Sequence, residues 1–399
     1  MTIGSENAAH RPHIRALDGL RFFAAFFVMG AHGYWYLICL QDSASVGPIS
    51  GFFMDFSALG MTLFFVLSGF VIHLNYRQSV GRTGGLWNFF VARFSRLYPL
   101  FLLVFVVELY RIANGVSSGV YPVAGMLKPA LYFLTFTESW WLFPVGNTNA
   151  SGAFGGATGV MWSLSTEAFF YVAYPFLAPL LNRLRGVGLG LFLVVVSAIA
   201  VALPFIAANC RGAIDGWAVS YFGEPNGGVF YQWLTFNSPW FRIFEFLLGA
   251  GAAQLYCSEK MRRGARFYGV AAVIGVLWFL NGLRSTISLA PLVAAVLYCA
   301  AVSPRWPLSW LSSRLMVAAG EASYSLYLLH FIVLHDWGVN LAAGRSLPYR
   351  IVVLFLLMAV SIIIARLTYL CFERPAMRVL RKILQGRREM PAERLPIRT

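Results

Sequence analysis

The chain is 399 residues long, and 59% of its residues are hydrophobic while only 12% are charged. Soluble domains carry about twice that share of charged residues, so the composition excludes an ordinary cytosolic enzyme. The formal net charge of +15 could suggest a nucleic-acid partner. The positive-inside rule explains it more simply, because Lys and Arg collect at the cytoplasmic helix ends of any multi-span protein. We therefore expect a protein of the lipid bilayer that does not bind nucleic acid.

Apolar stretches of about 20 residues, each long enough to cross a bilayer as a helix, recur from Leu20 to Leu370. No long polar region separates them. We predict one membrane domain, residues 19–372, between a cytoplasmic N-terminal segment, 1–18, and a basic cytoplasmic tail, 373–399. The first stretch has no small-residue cleavage site, so we expect it to be retained as a helix. Ten spans are predicted, at 19–40, 56–76, 97–112, 161–181, 187–208, 238–257, 267–283, 285–302, 317–337 and 350–371.

A further apolar stretch, 123–144, is interrupted by charged residues and prolines. If this stretch crossed the bilayer, every later loop would change sides. The basic cluster at 260–266 and the tail would then be translocated against the positive-inside rule. We therefore predict an all-α bundle of about ten transmembrane helices with both termini in the cytoplasm. Residues 123–158 become an outer-side loop or re-entrant segment that could hold an acceptor.

Five cysteines are scattered singly along the chain. None of them has the spacing of a zinc site or of a redox motif. We predict that they are small packing residues, and we expect no metal.

Ionisable residues inside the predicted spans are costly in hydrocarbon and are therefore functional candidates. On the first span, His32 follows Arg21 by eleven residues, or about 16 Å along a helix. A structural role stays open for each candidate. For His330, that role would be a bond to a helix carbonyl or to Tyr327. The predicted topology places five of them in one outer layer: His32, Glu167, Arg242, Glu245 and His330.

The inner, cytoplasmic layer is basic. Arg93 and Arg96 lie three residues apart on one helical face, near the predicted level of Arg21. Such a cluster either anchors the topology or binds phosphate, for which guanidinium groups are well suited. A phosphate-bearing cytosolic ligand with a neutral arm that reaches His32 would use both layers at once.

The stretch LDGLRFFAAFFVMGAH, with ten residues between Arg21 and His32, resembles the first-helix signature of the acyltransferase 3 family of membrane O-acyltransferases. Several motifs in family order are far more specific than any one of them. The further matches are FFVLSGFVI at 64–72, RFSRLYP at 93–99, WSLSTEAFFY at 162–171, FRIFEFLLG at 241–249, SYSLYLLH at 323–330 and FERP at 372–375.

The resemblance implies ten spans in a bacterial inner membrane, an acyl-CoA donor that enters from the cytosol, and an acceptor that is often a periplasmic glycan. It also implies functional roles for Arg21, His32, Arg93 and Arg96. Some relatives carry a fused esterase-like domain after the membrane part. We expect the stand-alone form here.

We interpret the chain as an enzyme that moves an acyl group, above all acetyl, from cytosolic acyl-CoA to a hydroxyl of a glycan or glycosylated acceptor. The reaction needs a base for the attacking hydroxyl, and His32 fits that role, or alternatively the role of an acylated nucleophile. Glu167 could orient His32 or compensate its charge. The predicted catalytic residues are His32, Glu167 and His330. The predicted donor-binding residues are Arg21, Arg93 and Arg96.

Two other classes of protein stay open from the sequence. A transporter of a lipid-linked or hydrophobic molecule also has many spans with buried charges, although no inverted repeat is evident. A sensor or scaffold without chemistry is the third possibility. Acyl-CoA hydrolysis by the purified protein separates the enzyme from both.

Overall fold

A computed structural model describes residues 13–41, 48–114, 127–141, 156–223, 230–258, 269, 272, 275, 287–302 and 309–386. These ranges are mostly helical and contain no strand, which confirms the all-α prediction. Their α-helices of at least five residues are α1 (Arg15–Leu37), α2 (Pro48–Tyr76), α3 (Gly85–Ala113), α4 (Leu127–Leu134), α5 (Trp162–Arg183), α6 (Gly186–Asn209), α7 (Arg211–Phe222), α8 (Pro239–Ser258), α9 (Ala290–Val302), α10 (Arg314–Glu321), α11 (Ser323–Phe331), α12 (Gly338–Ala342), α13 (Leu347–Thr368) and α14 (Arg374–Gln385).

Several of these helices are long and apolar enough to cross a membrane. Within the described ranges there are six such stretches: Arg15–Gln41, Asp55–Tyr76, Gly85–Ala113, Thr158–Arg183, Gly186–Asn209 and Leu347–Gln385. A seventh results if α10 and the stretch Ser323–Ala342, which are bent by 56° relative to each other, form one span. The predicted span 267–283 lies almost wholly outside the described residues. The total of ten spans and the cytoplasmic termini stay predictions.

Three predicted spans differ from the observed helices. Within 285–302 the described α-helix is α9, which has only 13 residues. The third helix begins at Gly85, well before residue 97, because Asn88, Arg93 and Arg96 interrupt the apolar run of its first turns and a count of apolar residues therefore starts after them. The predicted span 317–337 is interrupted at Ala322 and ends in a π-helical segment, Ile332–Trp337. In the described part of 123–144 the only α-helix is α4, whose eight residues are too short to cross a bilayer.

The helices α2 and α8 touch through glycines. A Cβ added to Gly69 would lie 2.0 Å from the carbonyl oxygen of Phe246, and one added to Gly249 would lie 1.9 Å from that of Val66. Only glycine permits so close an approach of two backbones, as at other membrane helix interfaces with small residues. The motifs FFVLSGFVI and FRIFEFLLG therefore meet in space and fix the wall behind the candidate site.

The first helix lies inside the bundle. It packs against α2, α10, α11 and α13. Ala24, Ala25 and Met29 on this helix are fully buried. The polar residues Arg21 and His32 on this helix are consequently held among other helices, where a charged or titratable group needs a partner or a ligand.

Candidate active site

A cavity brings together the three arginines that the sequence predicted for donor binding. Arg21 reaches it from α1, and Arg93 and Arg96 reach it from α3. The space amounts to about 700 Å³ including its open mouth. Its other polar lining comes from α2, α5 and α11 and consists of Ser68, Ser163, Glu167, Ser323, Tyr324 and Tyr327.

The three guanidinium groups are held unequally. Arg21 approaches Asp18 at 3.3 Å, and Arg93 donates to the Tyr76 hydroxyl at 3.0 Å while it lies over the Tyr76 ring. Nε of Arg93 has no hydrogen-bond partner among the described residues. Within the same part of the chain, Arg96 forms neither a hydrogen bond nor an ion pair. The cavity thus keeps cationic donors available for an anionic ligand.

Glu167 lies in this arginine cavity, whereas the sequence placed it beside His32. Its carboxylate accepts hydrogen bonds from the Ser68 hydroxyl at 3.0 Å and from the Tyr171 hydroxyl at 2.5 Å. Neither bond leads to a histidine. Counting residues along one helix gives the depth of a residue in that helix only. It does not fix the height of that residue relative to residues on a neighbouring helix, and for this reason the sequence misplaced Glu167.

His32 and His330, on α1 and α11, form a hydrogen-bonded pair. Nδ1 of His32 lies 2.9 Å from Nε2 of His330, and the two rings are parallel within 2°. Nδ1 of His330 lies 3.1 Å from the carbonyl oxygen of Leu326. His330 is fully buried and His32 is half-buried. The sequence placed both residues in one layer, and the structure joins them directly.

The direction of these hydrogen bonds follows from the carbonyl. A carbonyl oxygen only accepts, so Nδ1 of His330 carries the proton and its Nε2 is an acceptor when the ring is neutral. Nδ1 of His32 must then donate to His330. The remaining nitrogen of His32, Nε2, is left with its lone pair. This tautomer is the one that a general base requires.

The histidine pair does not line the arginine cavity. Tyr327 connects the two, since it lines the cavity and its ring centroid lies 5.9 Å from that of His330. Its hydroxyl also contacts the Ser163 hydroxyl at 2.7 Å. The sequence named Tyr327 only as a possible structural partner of His330, because helical spacing places it one turn away but not at a cavity wall.

Two further candidates from the predicted outer layer, Arg242 and Glu245, pair with each other. Both are fully buried, with Nη1 of Arg242 at 2.9 Å from the Glu245 carboxylate. Thr62 donates to the same carboxylate at 2.7 Å, and Nε of Arg242 donates to the Phe236 carbonyl. Neither residue lines the cavity. Through Thr62 the pair joins α8 to α2.

Comparison with known proteins decides the family. Residues 14–366 match a family profile described as an acyltransferase domain. The chain belongs to the acyltransferase 3 family. It is accordingly an acyltransferase that transfers groups other than aminoacyl groups, and it requires an acyl donor. Its several apolar helices and its family identify it as a membrane protein.

Relatives within the acyltransferase 3 family cover most of the chain at low identity. It is 26% identical to nodulation protein 10 of Rhizobium leguminosarum bv. viciae, over 84% of this chain and 86% of the relative. It is 25% identical to acyltransferase MdmB of Streptomyces mycarofaciens, over 92% of each chain. The peptidoglycan O-acetyltransferase OatA of Listeria monocytogenes is 23% identical over 92% of this chain but only 56% of its own length. No solved structure matches the chain.

The histidine that directly follows the acyltransferase 3 motif at 64–72 is structural in its contacts. His73 is buried between the side-chain oxygen of Gln254, at 2.9 Å, and the hydroxyl of Tyr174, at 3.2 Å. It does not line the cavity. Within the described ranges, no group of three or more His, Cys, Asp or Glu side chains is arranged to hold a metal ion.

Proposed function

We propose that this acyltransferase moves an acetyl group from cytosolic acetyl-CoA to a hydroxyl of a glycan or glycosylated acceptor on the outer side of a bacterial inner membrane. The observation that carries the proposal is the pair His32–His330, with Nε2 of His32 left as a base, beside a cavity of three arginines. Relatives that bear the name peptidoglycan O-acetyltransferase support the acceptor class.

The arginine cavity is the proposed site of the donor's phosphates. Arg96 and Nε of Arg93 offer donors that the described protein groups leave unused, and guanidinium binds phosphate through paired, charge-assisted hydrogen bonds. The apolar walls of the cavity, Met61, Phe64 and Phe65 among them, suit a neutral pantetheine arm. Glu167 offsets part of the positive charge while the cavity is empty.

His32 is the proposed general base. Its Nε2 takes the proton of the acceptor hydroxyl as the hydroxyl oxygen attacks the thioester carbonyl carbon. The carbon–sulfur bond then breaks, and the leaving thiolate receives that proton from His32. The reaction therefore needs no net proton. His330 acts through His32 as a positioning residue, because it accepts from Nδ1 and so fixes the tautomer and the ring plane.

The distance between the two layers sets the geometry of the donor. Arg21 and His32 are separated by about 16 Å along α1. A donor whose phosphates lie at Arg21 and Arg96 must place its thioester that far away. The extended arm of coenzyme A supplies this reach, and a simple acyl phosphate does not.

The substitution His32→Gln tests this proposal. Glutamine keeps the volume and a hydrogen bond to His330 but cannot act as a base, so acetyl transfer should fall by about 10²–10⁴-fold. Acetyl-CoA affinity should change little. Purified protein is assayed for release of free coenzyme A and for binding of acetyl-CoA by calorimetry.

His73→Gln is the matched control, because it makes the same chemical change at a buried histidine outside the cavity. Its turnover per folded molecule should stay near that of the wild type. If His32→Gln transfers acetyl within a few-fold of the wild type, His32 is not the base, and His330 or Glu167 must be tested next.

A further inference from the structure

A second polar cluster lies at the end of α3 that is far from the arginine cavity. Arg111 follows Arg96 by fifteen residues, or about 22 Å along the helix. Its guanidinium binds Glu108 at 2.9 Å on the same helix and Asp336 at 2.6 Å in the π-helical segment after α11. The other carboxylate oxygen of Asp336 accepts from Nδ1 of His335 at 2.9 Å. The cluster is thus an ordered chain of bonds that ends at His335.

The imidazole of His335 is fixed on three sides. It stacks on Phe331 with ring centroids 5.2 Å apart, and its ring lies perpendicular to that of Tyr36, with centroids 5.0 Å apart. Asp336 holds its Nδ1. Yet 42% of the side chain is exposed. Among the described residues, nothing bonds to that nitrogen.

This open imidazole lies next to the proposed catalytic pair. Tyr36 is one turn beyond His32 on α1, and its ring centroid is 6.5 Å from that of His32. Phe331 directly follows His330 and lies 6.3 Å from the ring of His32. Tyr36 and Phe331 therefore both contact His32 on one side and His335 on the other. A molecule seated on His335 would be two ring contacts away from His32.

A purely structural role does not account for the exposed end of this cluster. Arg111 and Asp336 already tie α3 to the π-helical segment without any help from His335. His335 is held by that tie and presents its unused nitrogen outward. A pre-oriented, partly exposed aromatic ring with one free polar atom is the arrangement found in binding sites, where apolar contact is combined with a few placed hydrogen bonds.

We propose that His335 binds the acceptor of the acyl transfer, and that this acceptor is a sugar. The exposed part of the ring packs on the apolar C–H face of a pyranose, and Nε2 bonds to one of its hydroxyls. Another hydroxyl of the same sugar, or of the next one, then points along Tyr36 and Phe331 toward Nε2 of His32. Asp336 and Arg111 are positioning residues that fix the ring. The inference rests on the proposed function and assigns its acceptor side.

Two activities measured in parallel test this assignment. Cells that lack the gene are complemented with each variant, and ester-linked acetate on their envelope glycans is determined by mass spectrometry, normalised to the amount of protein in the membrane. The purified variants are assayed for hydrolysis of acetyl-CoA, in which water replaces the acceptor. His335→Ala should lower the ratio of glycan acetylation to hydrolysis by about tenfold, the loss expected for one hydrogen bond and one stacking contact.

Two more variants make the result specific. Asp336→Asn keeps the His335 ring but loosens its orientation, so the ratio should fall by a smaller factor than for His335→Ala. The control Asn209→Ala removes an exposed amide whose hydrogen bond goes to the Phe205 carbonyl on the same helix, α6, and the ratio should stay at the wild-type value. A wild-type ratio for His335→Ala, or an equal fall of both activities, overturns the assignment of His335. If His32→Gln retains both glycan acetylation and acetyl-CoA hydrolysis, the proposed function is overturned instead.

Discussion

The arginines inside the helical bundle are treated in two opposite ways. Arg242 is fully buried, and it binds the Glu245 carboxylate and the Phe236 carbonyl. Arg96 lies in an open cavity and has no bonded partner among the described residues. Both residues lie on or beside an acyltransferase 3 motif, so motif membership alone does not separate them.

This difference shows which charges stabilise the fold and which are available to bind a ligand. A buried charge is tolerated only when it is paired or when a ligand supplies the missing charge. Arg242 has its counter-charge within the protein, and its guanidinium also lies 4.9 Å from the Phe236 ring centroid. Arg21 has Asp18 at 3.3 Å, but neither Arg93 nor Arg96 bonds a carboxylate among the described residues, and the Glu167 carboxylate in the cavity bonds Ser68 and Tyr171 instead. The cavity is therefore built to receive negative charge.

The largest effect is expected where the internal pair is broken. Glu245→Gln keeps the side-chain volume but leaves Arg242 buried without its counter-charge. Removing one partner of a buried ion pair costs about 3–5 kcal/mol, so the free energy of unfolding should fall by this amount. Thermal unfolding of the purified protein in detergent measures the loss as a lower melting temperature.

The double variant Arg242→Met with Glu245→Leu is the control for that experiment. Both charges are then removed together, and apolar replacements of a whole buried pair are often neutral or stabilising. Its melting temperature should lie well above that of Glu245→Gln. Equal stability of Glu245→Gln and the wild type would show that Arg242 does not need the Glu245 charge. Arg242 would then not differ in this respect from the arginines of the cavity.

The next effect concerns ligand binding without loss of stability. Arg96→Ala removes a cation with no bonded partner in the described protein, so the melting temperature of the empty protein should not fall. Affinity for acetyl-CoA should weaken by about 1.5–3 kcal/mol, the worth of a charged hydrogen bond, which is roughly 10- to 150-fold in the dissociation constant. Calorimetry at low and high salt measures it.

Arg96→Lys restores the charge but not the planar fork of donors, so it should recover only part of the affinity. Arg82→Ala provides a matched control, because it removes an arginine from the exposed turn between α2 and α3. Normal acetyl-CoA binding by Arg96→Ala would make the arginines topology anchors, which is the alternative that the sequence left open.

Much of the site was predictable because helical periodicity fixes which side chains share one face of a helix. The spacing of Arg93 and Arg96 predicted a shared face, and the structure places both in one cavity with Arg21. Counting along α1 likewise separated His32 from the arginines. What the count could not supply is the rotation and relative height of neighbouring helices, which depend on tertiary packing. For this reason Glu167 was placed beside His32, although its bonds lead to Ser68 and Tyr171.

The hydrogen bond between His32 and His330 could not be predicted from the sequence for the same reason. Both were assigned to one layer from their distances to the membrane surface, and that layer was right. Their direct contact depends on α1 packing against α11, which no local pattern in either helix encodes. The bend between α10 and α11 was missed because most residues in 317–337 are apolar or small, and no proline marks the break at Ala322.

The smallest effect concerns a third way to bury an ionisable group, which is to keep it protonated. Glu138 lies outside the candidate spans, between α4 and α5, and is 2% exposed. Neither of its carboxylate oxygens has a hydrogen-bond partner among the described residues. The nearby Ser165 hydroxyl donates instead to the Phe136 carbonyl. Burial raises the pKa of the Glu138 carboxyl well above its ordinary value.

Glu138→Gln should consequently stabilise the protein in a pH-dependent way. A carboxyl whose pKa is raised on folding binds its proton more tightly in the folded state, so its contribution to stability is complete below the unfolded pKa of about 4.5 and is lost as the pH rises toward the folded pKa. Glutamine has no proton to lose. The melting temperature of Glu138→Gln in detergent should therefore exceed that of the wild type increasingly from pH 5 to pH 8. If the difference does not grow with pH, or if the variant is less stable at pH 8, Glu138 is charged in the folded protein and has a partner there, as Glu245 has in Arg242.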